Sequence, residues 1–252
     1  MRLNVKDGVL NIFCNICVWT GLVGILRFLN RKKTRILMFH SVSDKPTFMP
    51  DSSGLRVTKK NFEKRITYLK NKYNIISLGD IEKKVPNKVI ITFDDGYVDN
   101  YTHAFPLLKK YDVPATIYLI GCTESKYARN YLTKEQIKEM SKYGVEFGSH
   151  TLNHLDLTEL TEKECNSELK NSRTFGIYKL NSVAYPYGTS NKEIEKIAAK
   201  YYQYGIKGDF GLTDGKNMLA LNRIFITNSS NLNRFKCEVE GIFSFIKNIF
   251  RL

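Results

Sequence analysis

Two neighbouring carboxylates, Asp94 and Asp95, close an apolar run, Val89-Ile90-Ile91-Thr92-Phe93, and Gly96 follows at once. Like charges side by side repel, and burying either is costly unless something neutralises it. A bound cation is one solution, with one carboxylate as ligand and the other free as a base. A surface Asp-Asp-Gly turn is the other. Two of the chain's four histidines, His150 and His154, stand in Gly148-Ser149-His150-Thr151-Leu152-Asn153-His154. At i and i+4 they can face one way on a helical turn or tight loop, and imidazole is the commonest metal-ligating side chain. Joined to one carboxylate they make a two-histidine, one-carboxylate set with positions left open for water and substrate. A third histidine, His40, ends a further apolar run, Ile36-Leu37-Met38-Phe39. His103 falls on a predicted helix and is given no catalytic role.

The elements that must position these residues follow from periodicity. Residues 89–93 are β-branched and aromatic and read as a buried strand. Further strands are expected over 36–40, 75–78, 115–120, 145–149, 182–185 and 219–227, the last around Arg223. Helices are expected over 58–73, 79–85, 98–111, 133–143, 161–175 and 191–202, with a kink at Pro106. Thr133 with Gln136 and Thr161 with Glu164 form capping boxes, and Gly144 ends the first of those helices. About seven strands alternating with helices predict an α/β fold with a parallel sheet or barrel. Active sites in such folds sit at the carboxyl ends of the strands. His40, Asp94-Asp95, His150 and Pro186-Tyr187 each directly follow a predicted strand, so they should converge.

Thr92-Phe93-Asp94-Asp95-Gly96, His150-Thr151-Leu152-Asn153-His154 and Tyr185-Pro186-Tyr187-Gly188 resemble, in order and spacing, the first three motifs of the polysaccharide deacetylases (NodB-homology, carbohydrate esterase family 4). The resemblance covers roughly residues 35–228. It implies a distorted (β/α) barrel of about seven parallel strands and metal-dependent hydrolysis of an N-acetyl group on a sugar. Carried over residue by residue, it implies Asp95, His150 and His154 as ligands of one divalent metal, zinc first, with cobalt, nickel or iron as alternatives. Asp94 would be the general base, and the backbone N–H of Tyr187, set by Pro186, would hold the oxyanion. The family's usual acid, a late histidine, has no counterpart after His154. Leu37-Met38-Phe39-His40 resembles that strand moved to the front, as in the circularly permuted branch with the poly-N-acetylglucosamine deacetylases, which makes His40 the acid. Ala184 stands where the family carries a base-orienting arginine, and the Asp-x-x-Asp-Trp motif is missing. Arg223 is the candidate replacement.

At 252 residues with 42% hydrophobic and 25% charged residues, the chain fits one globular domain with short appendages. The expected divisions are an apolar segment over 1–34, the deacetylase domain over 35–230 and an amphipathic helix over 231–252. Thirty-nine lysines and arginines against 25 acids give +14, which points to an anionic partner. The basic residues are scattered without the pattern of a nucleic-acid module, so a membrane surface or phosphate-linked substrate is expected instead. Five widely spread cysteines argue against a disulfide framework, and Cys14-x-x-Cys17 has no second pair to build a zinc site.

Residues 8–26 carry no charge, and Arg27, Arg31, Lys32, Lys33 and Arg35 follow. A signal peptide is one option, without an evident small-residue cleavage site; the others are a span, an interfacial helix with a basic collar, or a helix packed on the domain. Either membrane reading places the domain on the cytoplasmic side. Phe235, Val239, Ile242, Phe243, Ile246, Ile249 and Phe250 are expected on one face of a terminal helix, with Lys236, Glu240, Lys247 and Arg251 on the other. The expected activity is removal of N-acetyl groups from an amino sugar in a surface polysaccharide or its lipid-linked precursor; a deformylase would use the same chemistry. The alternative is a non-catalytic glycan- or lipid-binding relative.

Overall fold

The computed structural model describes residues 5–47, 54–122 and 125–243. Seven parallel strands, β1 (Arg35–Phe39), β2 (Lys88–Phe93), β3 (Ala115–Leu119), β4 (Val145–Ser149), β5 (Ser182–Ala184), β6 (Tyr204–Phe210) and β7 (Leu221–Phe225), form the wall of a barrel. Strand β1 closes it, pairing with β7 through Leu37 and Ile224 and with β2 from Arg35–Val89 to Phe39–Phe93. Strands β1 and β3 are buried at every position, as expected of parallel strands covered on both faces. Ile36, Ile90, Tyr118, Ala184, Ile206 and Leu221 fill the interior. Outside the wall, the Phe62 ring meets Phe39 edge-on at 5.3 Å.

Alternation along a strand fixes what reaches the barrel mouth. Ile36 points inward, and so do Met38 and, one step past the strand, His40. The same count from Ile90 brings in Thr92 and Asp94, and from Leu221 it brings in Arg223. A Cβ on Gly148 would lie 2.4 Å from the Tyr118 ring, so only glycine allows β4 to lie that close before His150 turns inward.

Helices α1 (Val5–Trp19), α2 (Leu22–Leu29), α3 (Lys59–Lys72), α4 (Phe105–Tyr111), α5 (Lys134–Ser141), α6 (Glu162–Asn171), α7 (Lys192–Ala198) and α8 (Leu232–Val239) surround the barrel. Both capping boxes are formed in both directions. Several expected bounds change. Over 75–85 there is only the pair Asn74–Ile75 and a 3-10 turn, Leu78–Asp80, because Gly79 and Pro86 bracket a segment too short to nucleate a helix. Ahead of α4 the chain makes a π-helical turn, Asn100–Ala104, which leaves Pro106 in the first turn of α4, where its missing N–H is harmless. Helix α6 stops short because Thr174–Phe175 pairs with Tyr178–Lys179 across Gly176.

Strand β6 has no counterpart in the expected elements, since glycines at 205 and 208 dilute its β signal. Both are required: a Cβ on Gly205 would lie 2.6 Å from the Leu219 carbonyl, and one on Gly208 would lie 2.8 Å from Gly188 Cα.

The apolar stretch 8–26 is not one helix. It bends by 76° between α1 and α2, at Gly21 in the left-handed region. Among the described residues, no single helix is long and apolar enough to cross a membrane. Cys14, Cys17 and Val23 pack on Cys237 and Ile242, and all five cysteines are unpaired. The terminal helix also breaks: α8 ends at Val239, and Gly241 is left-handed. Glu240, expected on the polar face, is buried instead. Ile246, Ile249 and Phe250 lie outside the described residues.

Candidate active site

The loops at the carboxyl ends of β1, β2, β4 and β5 enclose a cavity of about 440 Å³, with Met38, Leu55 and Phe225 as its apolar wall. His40, Asp94, Asp95, His150, His154, Tyr187 and Arg223 all line it. The strand-end residues therefore converge.

Asp95 Oδ1 stands 3.5 Å from His150 Nε2 and 3.5 Å from His154 Nε2, and the three ligand atoms lie within 4.8 Å of one another. Donor atoms about 2.0–2.1 Å from a tetrahedral ion stand roughly 3.3 Å apart, so this spacing suits a divalent metal. The tautomer suits it too. His150 Nδ1 lies 2.7 Å from the Ala184 carbonyl, which can only accept, so Nδ1 carries the proton and Nε2 turns its lone pair to the cluster. These three residues can hold a metal ion.

The second carboxylate has a different environment. Arg223 Nη1 donates to Asp94 Oδ1 at 2.6 Å, and its Nε donates to the Lys207 carbonyl at 3.1 Å. Burial alone would raise the Asp94 pKa. The adjacent Arg223 guanidinium, first among the opposing causes, outweighs it and holds the carboxyl well below the usual range. Among the described residues, Asp94 Oδ2 has only His40 Nε2 at 4.0 Å and His150 Nε2 at 3.9 Å, beyond hydrogen-bond reach. One oxygen is clamped and the other faces the cavity. Burial lowers the His40 pKa, against the opposing pull of Asp94 and Asp95. His40 Nδ1 is buried without a partner among the described residues. His103 binds the Val42 carbonyl through Nδ1 at 2.8 Å and takes no part in the cluster.

The loops carry backbone strain. Asp95, Thr151, His154 and Tyr187 all have positive φ without being glycine, a conformation costing about 1–3 kcal/mol each and found mainly at functional sites. Tyr187 follows the buried Pro186, is 70% exposed, and its ring stands 5.1 Å from that of His154.

Sequence reasoning missed the residues that hold these loops. Buried Glu168 on α6 accepts from the backbone N–H groups of Leu152 at 3.1 Å and Asn153 at 2.9 Å, and from Asn153 Nδ2 at 2.5 Å. It thereby clamps the turn between the two histidines. Thr151 Oγ1 accepts from the His154 N–H at 3.1 Å. Asn100 Nδ2 donates to the His40 carbonyl at 2.7 Å, and Asp99 accepts from Ser41 Oγ at 2.5 Å and Val42 N–H at 3.2 Å. A glutamate inside a polar helix carries no local signal of this task; its partners come from another loop.

A parallel barrel thus carries at its mouth a carboxylate–histidine cluster able to hold a metal ion and, beside it, a separately clamped carboxylate. The chain belongs to the polysaccharide deacetylase family, whose model matches residues 82–205. The Bacillus subtilis (strain 168) protein YxkH, which carries the same family name, is 36% identical over 224 residues, 83% of this chain and 77% of YxkH. The poly-beta-1,6-N-acetyl-D-glucosamine N-deacetylase of Staphylococcus aureus (strain MSSA476) is 29% identical over 203 residues, 69% of each chain. Among solved structures, the Streptococcus pyogenes deacetylase PplD in complex with acetate superposes with a TM-score of 0.72 at 30% identity, covering 81% of this chain and 96% of that one.

Proposed function

We propose that this protein is a metal-dependent N-deacetylase acting on an N-acetylated amino sugar of a surface polysaccharide or its lipid-linked precursor. The observation that carries the reading is the division of labour between the two neighbouring carboxylates. Asp95 joins His150 and His154 in one cluster, and Asp94 is held ionised beside it by Arg223.

Asp95, His150 and His154 would hold the ion, which when bound acidifies a water and polarises the amide carbonyl. Asp94 would take the proton from the attacking water through Oδ2, the oxygen left open to the cavity. Arg223 keeps Asp94 ionised and fixes its orientation, which is the task of the third-motif arginine that Ala184 replaces. His40, whose Nε2 stands 4.0 Å from Asp94 Oδ2, would protonate the departing amine in its imidazolium form, since an amide anion is a very poor leaving group. The backbone N–H of Tyr187 would donate to the oxyanion. A second cavity of about 540 Å³ shares Tyr97 with the first, so a substrate longer than one sugar has room beside the site. That suits the substrate named for the Staphylococcus aureus relative.

A non-catalytic reading would rest on Ala184 and the missing fourth motif; the Arg223–Asp94 contact supports a working carboxylate despite the first. The expectation of a cytoplasmic barrel rests on the basic flank after residue 26 and stays a proposal. The test is acetate release from short N-acetylglucosamine oligomers by the purified protein, after chelation and again after return of single divalent metals, zinc first. Acetate restored by metal supports the reading. Metal bound without acetate from oligomers or lipid-linked sugars would leave the protein as a binder.

A further inference from the structure

Helix α1 is apolar on two opposite sides. Cys14 and Cys17 face α8, while Val9, Ile12, Phe13, Ile16 and Trp19, spaced three and four apart, point to solvent. Helix α2 repeats the arrangement, with Val23 inward and Leu22, Ile25, Phe28 and Leu29 outward. Trp19, at the corner between them, is 88% exposed. An apolar surface of this extent marks an interaction site.

The neighbouring charge identifies the partner. Arg31, directly after α2, lies over the Phe28 ring at 4.2 Å from its centroid. Arg31 and Lys32 also line a cavity of about 470 Å³ with Lys83, Lys84 and Lys88, where Glu82 is the single acid. Apolar side chains bordered by a basic pocket match an anionic lipid surface: the first enter the acyl boundary and the second meets phosphate. The bend decides the mode. At about 1.5 Å per residue, α1 is roughly 22 Å long, short of the roughly 30 Å hydrocarbon core. Two helices joined at 76° can both lie parallel to one plane.

We propose that α1 and α2 form an interfacial anchor that lies flat on a bilayer of anionic phospholipid, with the basic pocket over the headgroup phosphates. The inference is independent of the deacetylase chemistry.

Trp19 is the only tryptophan in the chain, so its emission reports burial of the corner directly. The full chain is mixed with phosphatidylcholine vesicles, with and without phosphatidylglycerol. The expected result is a blue shift of Trp19 and co-sedimentation with the anionic vesicles, both reduced by salt. Ile12→Glu with Ile16→Glu, on the outward face, should abolish both and leave the circular dichroism spectrum and melting unchanged. Lys32→Ala with Lys84→Ala, both in the basic pocket, should weaken binding by roughly tenfold or more. No shift with either vesicle overturns the proposal. So does a concentration-dependent blue shift in buffer alone, which would assign the face to a second copy of the chain. Equal binding to neutral vesicles overturns the role of the basic pocket.

Discussion

Among the described residues, two buried arginine–carboxylate pairs, one near each end of the barrel wall, are finished differently. Near the start of β1, Arg35 Nη2 meets Glu240 Oε2 at 2.6 Å with both side chains fully buried. Glu240 Oε1 accepts from Tyr73, and Arg27 stands 3.7 Å away. Burial and the adjacent Glu240 push the Tyr73 hydroxyl up, so it stays protonated and donates. Both oxygens of Glu240 are thus occupied. At the mouth, the Arg223–Asp94 pair has the same 2.6 Å contact, but among the described residues Asp94 Oδ2 lacks a partner within hydrogen-bond reach. A carboxylate with both oxygens engaged ties segments together; one with an oxygen left open can do chemistry. Arg35–Glu240 joins the N-terminal helices, the barrel and the end of α8, and Arg223–Asp94 leaves a carboxylate oxygen open at the mouth.

If that contrast is right, substitutions at the two ends should fail in different currencies. The largest effect is expected at the mouth. Asp94→Asn should retain metal and lower kcat by about 10²–10⁴-fold, whereas His150→Ala should lose both metal and turnover. Metal content by elemental analysis and acetate release separate the two, and normal rates in Asp94→Asn would break the comparison.

At the other end, Glu240→Ala leaves Arg35 buried without its countercharge and should cost about 3–5 kcal/mol of stability, read from urea unfolding. Its folded fraction should keep the wild-type kcat. Pairing Glu240→Leu with Arg35→Met should return much of the loss, because two apolar groups leave no buried charge. Loss of turnover at unchanged stability would merge the two pairs into one functional network.

The smallest expected effect concerns the histidine turn. Glu168→Gln keeps the shape of the clamp but makes it neutral, and should weaken metal affinity by about 10- to 100-fold. Excess metal should restore kcat, a result that a general folding defect would not give.

Much of the site was legible because strand ends are local. His40, Asp94-Asp95 and His150 each follow a β-branched or aromatic run, and a residue just past a parallel strand must lie at the barrel mouth. Both capping boxes were legible for the same reason, since their partners sit three residues apart. Strand β6 was hidden by Gly205 and Gly208, whose value lies in what approaches them. The bend at Gly21 and the break at Gly241 were hidden because hydropathy counts apolar residues and does not register a left-handed glycine between them.

The sequence by itself determined which chemistry is available: two adjacent acids, a spaced pair of histidines and a lone histidine, each at the end of a strand. Only the tertiary structure decided what surrounds each of the two acids. Arg223 reaches Asp94 across 129 positions of chain, and Glu168 holds the histidine turn from a separate helix. A buried charge takes its character from the groups that replace water around it, and in a closed barrel those groups come from strands and helices far apart in sequence.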